Sequence, residues 1–207
     1  MKKLTVLILA PTLALSLATC GGSGKSPVSR ESQKPPASTK AGDTVQLGGY
    51  DWRVLEVRDG KALILSDRVL TVRIYNPGGA TWEKSDMRQY LNGAFYNDTF
   101  TAKEKAWIAE SKIINNDNPQ FNTSGGGQTL DKVFLLSVDE AEQYFADDAA
   151  RIALDVNTGR ARWWWLRSVG GRDDRVAGVY DDGGIDVRGY SVSRVNGGVR
   201  PALWLNL

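Results

Sequence analysis

The residues best suited to bind a ligand lie near the C-terminus, between positions 168 and 197. The polar side chains there are almost all Asp, Arg, Tyr or Ser, and they alternate with Gly or Val. Alternation with a period of two places every second side chain on the same face of a strand. Tyr and Arg provide anchors while Ser and Gly adapt, so the composition is typical of binding surfaces. We therefore predict one exposed ligand-binding face formed by Arg172, Asp173, Asp174, Arg175, Tyr180, Asp182, Asp186, Arg188, Tyr190, Ser191, Ser193 and Arg194. The alternative is a solvated face stabilised by salt bridges.

The sequence offers little for bond-making chemistry. It contains no His, and its single Cys is Cys20, so Ser-His-Asp and Cys-His mechanisms are absent and the most common metal ligand is missing. Carboxylate doublets occur at 147–148, 173–174 and 181–182, but neighbours in a strand point to opposite faces and do not form the facing pair of a glycosidase. A catalytic Ser-Lys dyad remains an alternative, because the chain contains both residue types. We expect no enzymatic activity, no catalytic residue, no metal site and no cofactor. The alternatives are a cell-envelope glycan hydrolase and a structural surface lipoprotein without a small ligand.

Aromatic and basic residues of the C-terminal third favour structural roles. Trp163, Trp164 and Trp165 are consecutive, so a strand places two of them on one face and one on the other. Core packing is the favoured interpretation, because buried aromatic side chains dominate the cores of small domains. A sugar-stacking platform is the alternative. Arg200, next to Pro201, is predicted to be a buried structural residue.

The N-terminal residues predict export and attachment to a membrane. Lys2 and Lys3 precede an apolar run over 4–17, and small residues follow before Cys20, which is the pattern of a signal peptide covering 1–19. The run is shorter than the roughly 20 residues of a membrane-spanning helix. Residues 17–20, Leu-Ala-Thr-Cys, resemble the bacterial lipobox, in which the Cys is lipidated; Thr19 departs from its usual small residue. The resemblance implies lipidation of Cys20 and a protein anchored to the bacterial cell envelope, at the surface.

A flexible tether and one globular domain are expected to follow. Residues 20–42 are rich in Gly, Ser, Pro and Lys, a composition that cannot bury enough apolar surface to fold. Residues 43–207 form the predicted domain. Lys2 and Lys3 belong to the signal peptide, so the mature chain retains 24 basic side chains against 24 acidic ones. A neutral domain has no electrostatic reason to bind nucleic acid.

Short strands and a few capped helices must position these side chains. Alternation, apolar runs and turn signals predict strands over 44–47, 50–57, 62–65, 69–75, 133–136, 176–180 and 185–188. Ser85 can cap a helix through Leu91. Thr101 with Glu104, and Ser137 with Glu140, are capping-box patterns that open helices through about residues 111 and 146. Mixed short strands with two or three helices indicate an α+β fold.

Six segments resemble, in order, a bacterial family of lipoprotein and surface-protein domains, domain of unknown function 6273. They are 50–55, 62–66, 81–82 with 85–92, 131–137, 164–168 and 198–203. The resemblance spans nearly all of the predicted domain. The family has no established activity, so it implies domain limits more than function.

The pattern from Trp164-Trp165-Leu166-Arg167-Ser168 to 198–203 is also similar to C-type-lectin-like domains. The similar branch is shared with the formylglycine-generating enzyme and with the variable proteins of diversity-generating retroelements. The resemblance implies a C-type-lectin-like fold with ligand-contacting residues on a sheet near the C-terminus. Asn codons randomised at their first two bases encode mainly the residue types of 168–197, which suggests a diversified region. Paired Cys and the calcium-binding Trp-Asn-Asp motif are missing, so calcium-dependent sugar binding and formylglycine chemistry are not expected.

Overall fold

The computed structural model describes residues 32–207. The predicted signal peptide, Cys20 and the tether up to residue 31 lie outside the described residues. Residues 32–42 contact the domain: the Gly42 N–H donates to the Val54 carbonyl at 2.9 Å, and Thr39 is buried. The folded chain therefore extends to the N-terminal side of Asp43. No helix within 32–207 has the length and apolar character needed to cross a membrane.

Strands outnumber helices in the described chain. The strands are β1 (Thr44–Leu47), β2 (Tyr50–Arg58), β3 (Lys61–Ser66), β4 (Thr71–Val72), β5 (Ile108–Ala109), β6 (Ser111–Ile113), β7 (Thr129–Asp131), β8 (Trp164–Val169), β9 (Arg175–Val179), β10 (Ile185–Ser191), β11 (Gly198–Val199) and β12 (Ala202–Asn206). The α-helices are α1 (Asp86–Tyr90), α2 (Tyr96–Thr99), α3 (Ala102–Lys105), α4 (Val138–Tyr144) and α5 (Asp148–Arg151). A 3-10 turn over Trp82–Lys84 precedes α1, and a π-helical turn over Leu91–Phe95 joins α1 to α2. The predicted α+β class is confirmed.

Two five-stranded sheets form the framework. The first has the order β1-β2-β3-β12-β5, and all its pairs are antiparallel. The second has the order β10-β9-β8-β11-β4, and only β8 with β11 is parallel. Strands β6 and β7 form a separate pair. The chain passes between the two sheets four times: between β3 and β4, between β4 and β5, between β5 and β8 by way of the β6–β7 pair, and between β11 and β12.

The core explains why the central strands are apolar runs. Five of the six residues of β3 and four of the five residues of β12 are buried, because both faces of these strands are covered. Trp52, Trp82, Trp164 and Trp165 are among the largest fully buried side chains. They belong to one continuous hydrophobic cluster that also covers the inner strands of both sheets.

The predicted helix starts are confirmed, but one predicted length is wrong. Ser85 caps α1, and both capping boxes, at Thr101 and at Ser137, are formed. The helix expected over 101–111 ends at Lys105, and Ile108–Ala109 instead joins the first sheet beside β12. Sheet pairing buries Ile108 at the edge of the core, so tertiary packing overrides the helical pattern.

Glu104 links α3 to the start of the first sheet. Its carboxylate accepts the Gly48 N–H at 2.7 Å and the Thr101 N–H and hydroxyl at 2.8 Å each. Burial would raise the pKa of Glu104, but hydrogen bonds from the Ser32 hydroxyl, Gly48 and Thr101 outweigh it and lower the pKa. The carboxylate thereby also holds residue 32 against the domain.

Candidate functional site

The predicted binding segment is an exposed hairpin at the edge of the second sheet. Strands β9 and β10 pair antiparallel, with Asp186 opposite Gly178 and Tyr190 opposite Val176. Three residues of β10 therefore lie opposite one residue of β9, which is a β-bulge. Gly189 adopts a φ of 80° in the bulge, and a Cβ there would overlap the Val176 backbone. The bulge interrupts the alternation of side chains that the sequence predicted for the whole segment.

None of the twelve predicted ligand-binding residues is buried. Partial burial is found for Arg175, Asp186 and Tyr190. The others are exposed: Arg172, Asp173, Asp174, Tyr180, Asp182, Arg188, Ser191, Ser193 and Arg194. They do not form one continuous cluster. Six of them fall into two groups, an aromatic group defined by ring contacts and an arginine group that lines a hollow.

The aromatic group, called here the aromatic patch, consists of Trp163, Tyr180, Tyr190 and Arg194. The rings of Trp163 and Tyr190 lie 4.3 Å apart at an angle of 33°, and Tyr180 meets Tyr190 edge-on at 5.7 Å. The Arg194 guanidinium lies 5.0 Å from the centre of the Tyr190 ring and 5.6 Å from that of Trp163. Tyr180 is 40% exposed. The patch thus presents aromatic surface and a cation together.

Carboxylates surround the aromatic patch, but several have structural partners. Asp186 accepts the N–H groups of Arg188 at 3.1 Å and Gly189 at 3.0 Å, so it stabilises the bulge. Asp182 accepts the Gly184 N–H at 3.0 Å in the hairpin turn. Burial, together with the hydrogen bond to Asp186, raises the pKa of the Tyr180 hydroxyl.

The consecutive tryptophans occupy the positions predicted for a strand. Trp164 and Trp165 are fully buried, and Trp163 lies 4.7 Å from Trp165, on the same side of the sheet. Trp164 packs on the other side, under the Arg200 guanidinium at 5.0 Å. The core interpretation is confirmed for Trp164 and Trp165. Only Trp163 reaches the surface, as the half-buried base of the aromatic patch.

The arginine group lines a second feature, called here the arginine hollow. It has a volume of about 280 Å³ and is lined by Phe121, Gly171, Arg172, Arg175 and Arg188. Phe121 comes from a loop far from the hairpin in sequence. The Asn118 amide fixes that loop by donating to the carbonyls of Val169 at 3.0 Å and Val187 at 2.9 Å. The sequence did not predict Phe121 as part of this surface. Local sequence patterns do not indicate which strand a polar loop will contact.

Each carboxylate doublet has at least one member that binds the backbone or a neighbouring Arg. Asp147 caps α5 by accepting the Ala150 N–H at 2.8 Å, and Asp148 pairs with Arg151. Asp174 pairs with Arg172 at 3.1 Å. Within 32–207, no group of three or more His, Cys, Asp and Glu side chains is arranged to hold a metal ion.

A separate polar groove of about 410 Å³ lies between the 116–120 loop and α4. Asn118, at its edge, is buried and its carbonyl oxygen accepts the Gln120 N–H at 3.1 Å. Its amide holds the loop on the second sheet. Both ends of the Asn118 side chain therefore support the loop.

Comparison with known proteins gives a family and no further relative. A search of curated proteins gave no match, and a search of solved structures gave none either. Residues 59–207 match a family model described as "Domain of unknown function (DUF6273)". The match covers more than half of the 207 residues, and the chain therefore belongs to the DUF6273 family.

Proposed function

We propose that the chain is an exported, lipid-anchored envelope protein whose C-terminal hairpin displays a surface that binds a glycan or protein ligand. The observation that carries the proposal is the aromatic patch. Trp163 and Tyr190 stack at 4.3 Å, while Tyr180 stays 40% exposed beside them. Tyr and Trp provide large contact area with few torsions to immobilise, and Arg adds charge-assisted hydrogen bonds, so such groups dominate binding energies at interfaces.

Removal of either exposed member of the aromatic patch is expected to weaken ligand binding by about tenfold or more, as for hot-spot residues. Tyr180→Ala and Arg194→Ala remove surface groups, so folding is retained. The measurement is retention of the detergent-solubilised full chain on a glycan array and on intact bacterial cells. Leu130→Ala is the matched control, because Leu130 is 61% exposed and lies outside the C-terminal hairpin. Binding that survives both patch substitutions, or turnover of a glycan on the array, contradicts the proposal.

The anchor part of the proposal rests on Cys20 and the run that precedes it. Acyl chains contribute about 0.8 kcal/mol for each buried methylene, so several chains hold a protein stably at a membrane. The chain between Cys20 and residue 32 then separates the domain from the bilayer. Labelling with radioactive palmitate tests the anchor: the wild-type chain is expected to incorporate label, and label on a Cys20→Ser variant contradicts it.

Two finer proposals concern the origin of the binding surface. The first is a C-type-lectin-like fold, supported by the similarity of 164–168 and 198–203 to that class. The second is diversification by a retroelement, supported by the residue types of 168–197. An experimental structure that fails to superpose on C-type-lectin-like domains contradicts the first. A genome without a nearby reverse transcriptase and a template repeat of this segment contradicts the second.

A further inference from the structure

The arginine hollow concentrates positive charge, and among its three arginines only Arg172 pairs with a carboxylate of the described residues. Three of its five lining residues are Arg and none is Asp or Glu. Like charges that converge on one cavity repel one another, and the repulsion grows where water is partly excluded. A bound anion would turn the repulsion into attraction.

The guanidinium groups of Arg175 and Arg188 have N–H donors that are not used in ion pairs within the described chain. Arg175 donates one N–H to the Gly189 carbonyl at 2.8 Å, and Arg188 lies 6.0 Å from the centre of the Phe121 ring. Among the ion pairs of residues 32–207, none includes Arg175 or Arg188. Each guanidinium carries five N–H donors. Arg172 pairs with Asp174 at 3.1 Å, but both side chains are more than half exposed, so that pair is weak.

Backbone hydrogen bonds fix the main-chain positions of two of the three arginines, Arg175 and Arg188. The Gly170 N–H donates to the Arg175 carbonyl at 2.7 Å, and the Gly171 N–H donates to the Arg188 carbonyl at 2.8 Å. A Cβ at Gly171 would lie 3.2 Å from the Phe121 ring, so glycine lets Phe121 close one side of the hollow. Main-chain positions that are fixed before binding lower the backbone part of the entropy cost of binding.

The shape and chemistry of the hollow select the ligand class. Guanidinium groups bind carboxylate, sulfate and phosphate oxygens through paired hydrogen bonds. The volume of about 280 Å³ is several times the share of one water molecule, roughly 30 Å³, so it can admit more than a bare anion. Phe121 is 36% exposed and offers an apolar ring face on which a sugar ring can stack.

We propose that the arginine hollow binds an acidic sugar, with its carboxylate, sulfate or phosphate group held by Arg172, Arg175 and Arg188. The inference rests on the proposed function, because it assigns a ligand class to part of the same C-terminal surface. The aromatic patch and the hollow then contact different parts of one acidic glycan.

Nuclear magnetic resonance of the arginine Nε–Hε groups tests the inference on the detergent-solubilised full chain. The probes are D-glucuronate, D-glucose 6-sulfate, D-glucose 6-phosphate, inorganic phosphate and neutral D-glucose. The three acidic sugars are expected to shift the signals of the three hollow arginines, and D-glucose is not. Inorganic phosphate is expected to bind more weakly than D-glucose 6-phosphate, because it lacks the ring that contacts Phe121. Added salt is expected to weaken every acidic probe.

Arg188→Gln is expected to weaken acidic-sugar binding by about tenfold or more, the loss typical of a charge-assisted hydrogen bond. Arg160→Gln is the control, since it removes the same charge from an exposed arginine outside the hollow; less than a twofold change is expected. Circular dichroism checks folding. If Arg188→Gln does not fold, Arg172→Gln replaces it, because the Arg172 side chain is 63% exposed and its loss leaves the core unchanged.

The outcomes separate this inference from the proposed function. Equal binding of D-glucose, unchanged binding by Arg188→Gln and Arg172→Gln, or tighter binding of a hexaglutamate peptide than of any acidic sugar overturns the inference. One outcome is that the wild-type chain shows no binding of acidic sugars and yet binds another array ligand that the Tyr180→Ala variant does not bind. In that case only the inference is wrong. If no ligand depends on Tyr180 or Arg194 either, the proposed function fails with it.

Discussion

Replacing Arg200 by alanine is expected to lower the free energy of unfolding by about 3–5 kcal/mol, as for other large buried side chains and broken buried networks. Arg200 is fully buried between the two sheets. Its guanidinium donates to the Ser66 carbonyl at 3.0 Å, the Arg151 carbonyl at 3.2 Å and the Asp67 carbonyl at 3.4 Å. Alanine would leave a cavity and would deprive buried carbonyls of a donor.

The location of Arg200 explains the size of the effect. The residue lies where the chain crosses from β11 in the second sheet to β12 in the first, and Ser66 lies at the end of β3, where the chain first leaves the first sheet. The Ser66 N–H also donates to the Pro201 carbonyl at 2.9 Å. The guanidinium further packs on the rings of Trp164 and Phe145, at 5.0 and 5.5 Å. One side chain thus connects two of the crossings between the sheets.

Urea unfolding of the full chain in detergent, followed by tryptophan fluorescence, measures the effect. Arg53→Ala is the control, because Arg53 forms a half-exposed pair with Asp67, and a change below about 1 kcal/mol is expected there. Arg200→Met keeps most of the volume and removes the donors. Burial lowers the pKa of the Arg200 guanidinium and so disfavours its charge. The Arg200→Met variant is therefore expected to lose less free energy of unfolding than the Arg200→Ala variant. If the Arg200→Ala variant is as stable as the wild type, Arg200 does not stabilise the segments that cross between the two sheets.

Replacing Asp131 by alanine is the second change with a large expected effect, a loss of about 3–5 kcal/mol as for a broken buried ion pair. Asp131 is 1% exposed. Its carboxylate accepts the Trp82 indole N–H at 2.8 Å, the Thr129 hydroxyl at 2.6 Å and the Arg88 Nε–H at 2.6 Å. Alanine would leave three donors, one of them charged, without their acceptor.

Thermal unfolding by circular dichroism checks the Asp131 prediction. Asp131→Asn keeps the shape but offers one acceptor oxygen and an amide that faces other donors, so it is also expected to destabilise. Asp173→Ala is the control on an exposed Asp, where a change within about 0.5 kcal/mol is expected. The prediction is wrong if Asp131→Ala and Asp173→Ala unfold at the same temperature.

Both networks lie in the segments that first indicated the family. Trp82 and Arg88 lie in one of those segments and Asp131 lies in the next, while Arg200 belongs to the last one. Another such residue, Arg167, is buried and pairs with Glu140 at 2.5 Å while donating to the Leu135 carbonyl at 2.8 Å. These motif residues hold the two sheets and the helices together. Because the family resemblance depends on these structural residues, it indicates the fold but assigns no function to the surface residues between them.

The sequence by itself determined the local features. Ser85, Thr101 and Ser137 begin helices because a side-chain oxygen satisfies a free N–H of the first turn, which depends on residues three positions apart. Asp59 and Gly60 both adopt positive φ, as the hairpin between β2 and β3 requires. The α+β class and the burial of Arg200 also followed from sequence patterns alone.

Only the tertiary structure decided how distant segments meet. Ile108–Ala109 became a strand because β12, almost a hundred residues later, offered an open edge. Six of the twelve predicted binding residues fell into two groups, the aromatic patch and the arginine hollow. Phe121 entered the hollow because Asn118 bonds to carbonyls about fifty and seventy residues away. Capping and turn signals act between near neighbours, whereas these contacts form only when packing of the whole core brings distant backbone groups within hydrogen-bonding range.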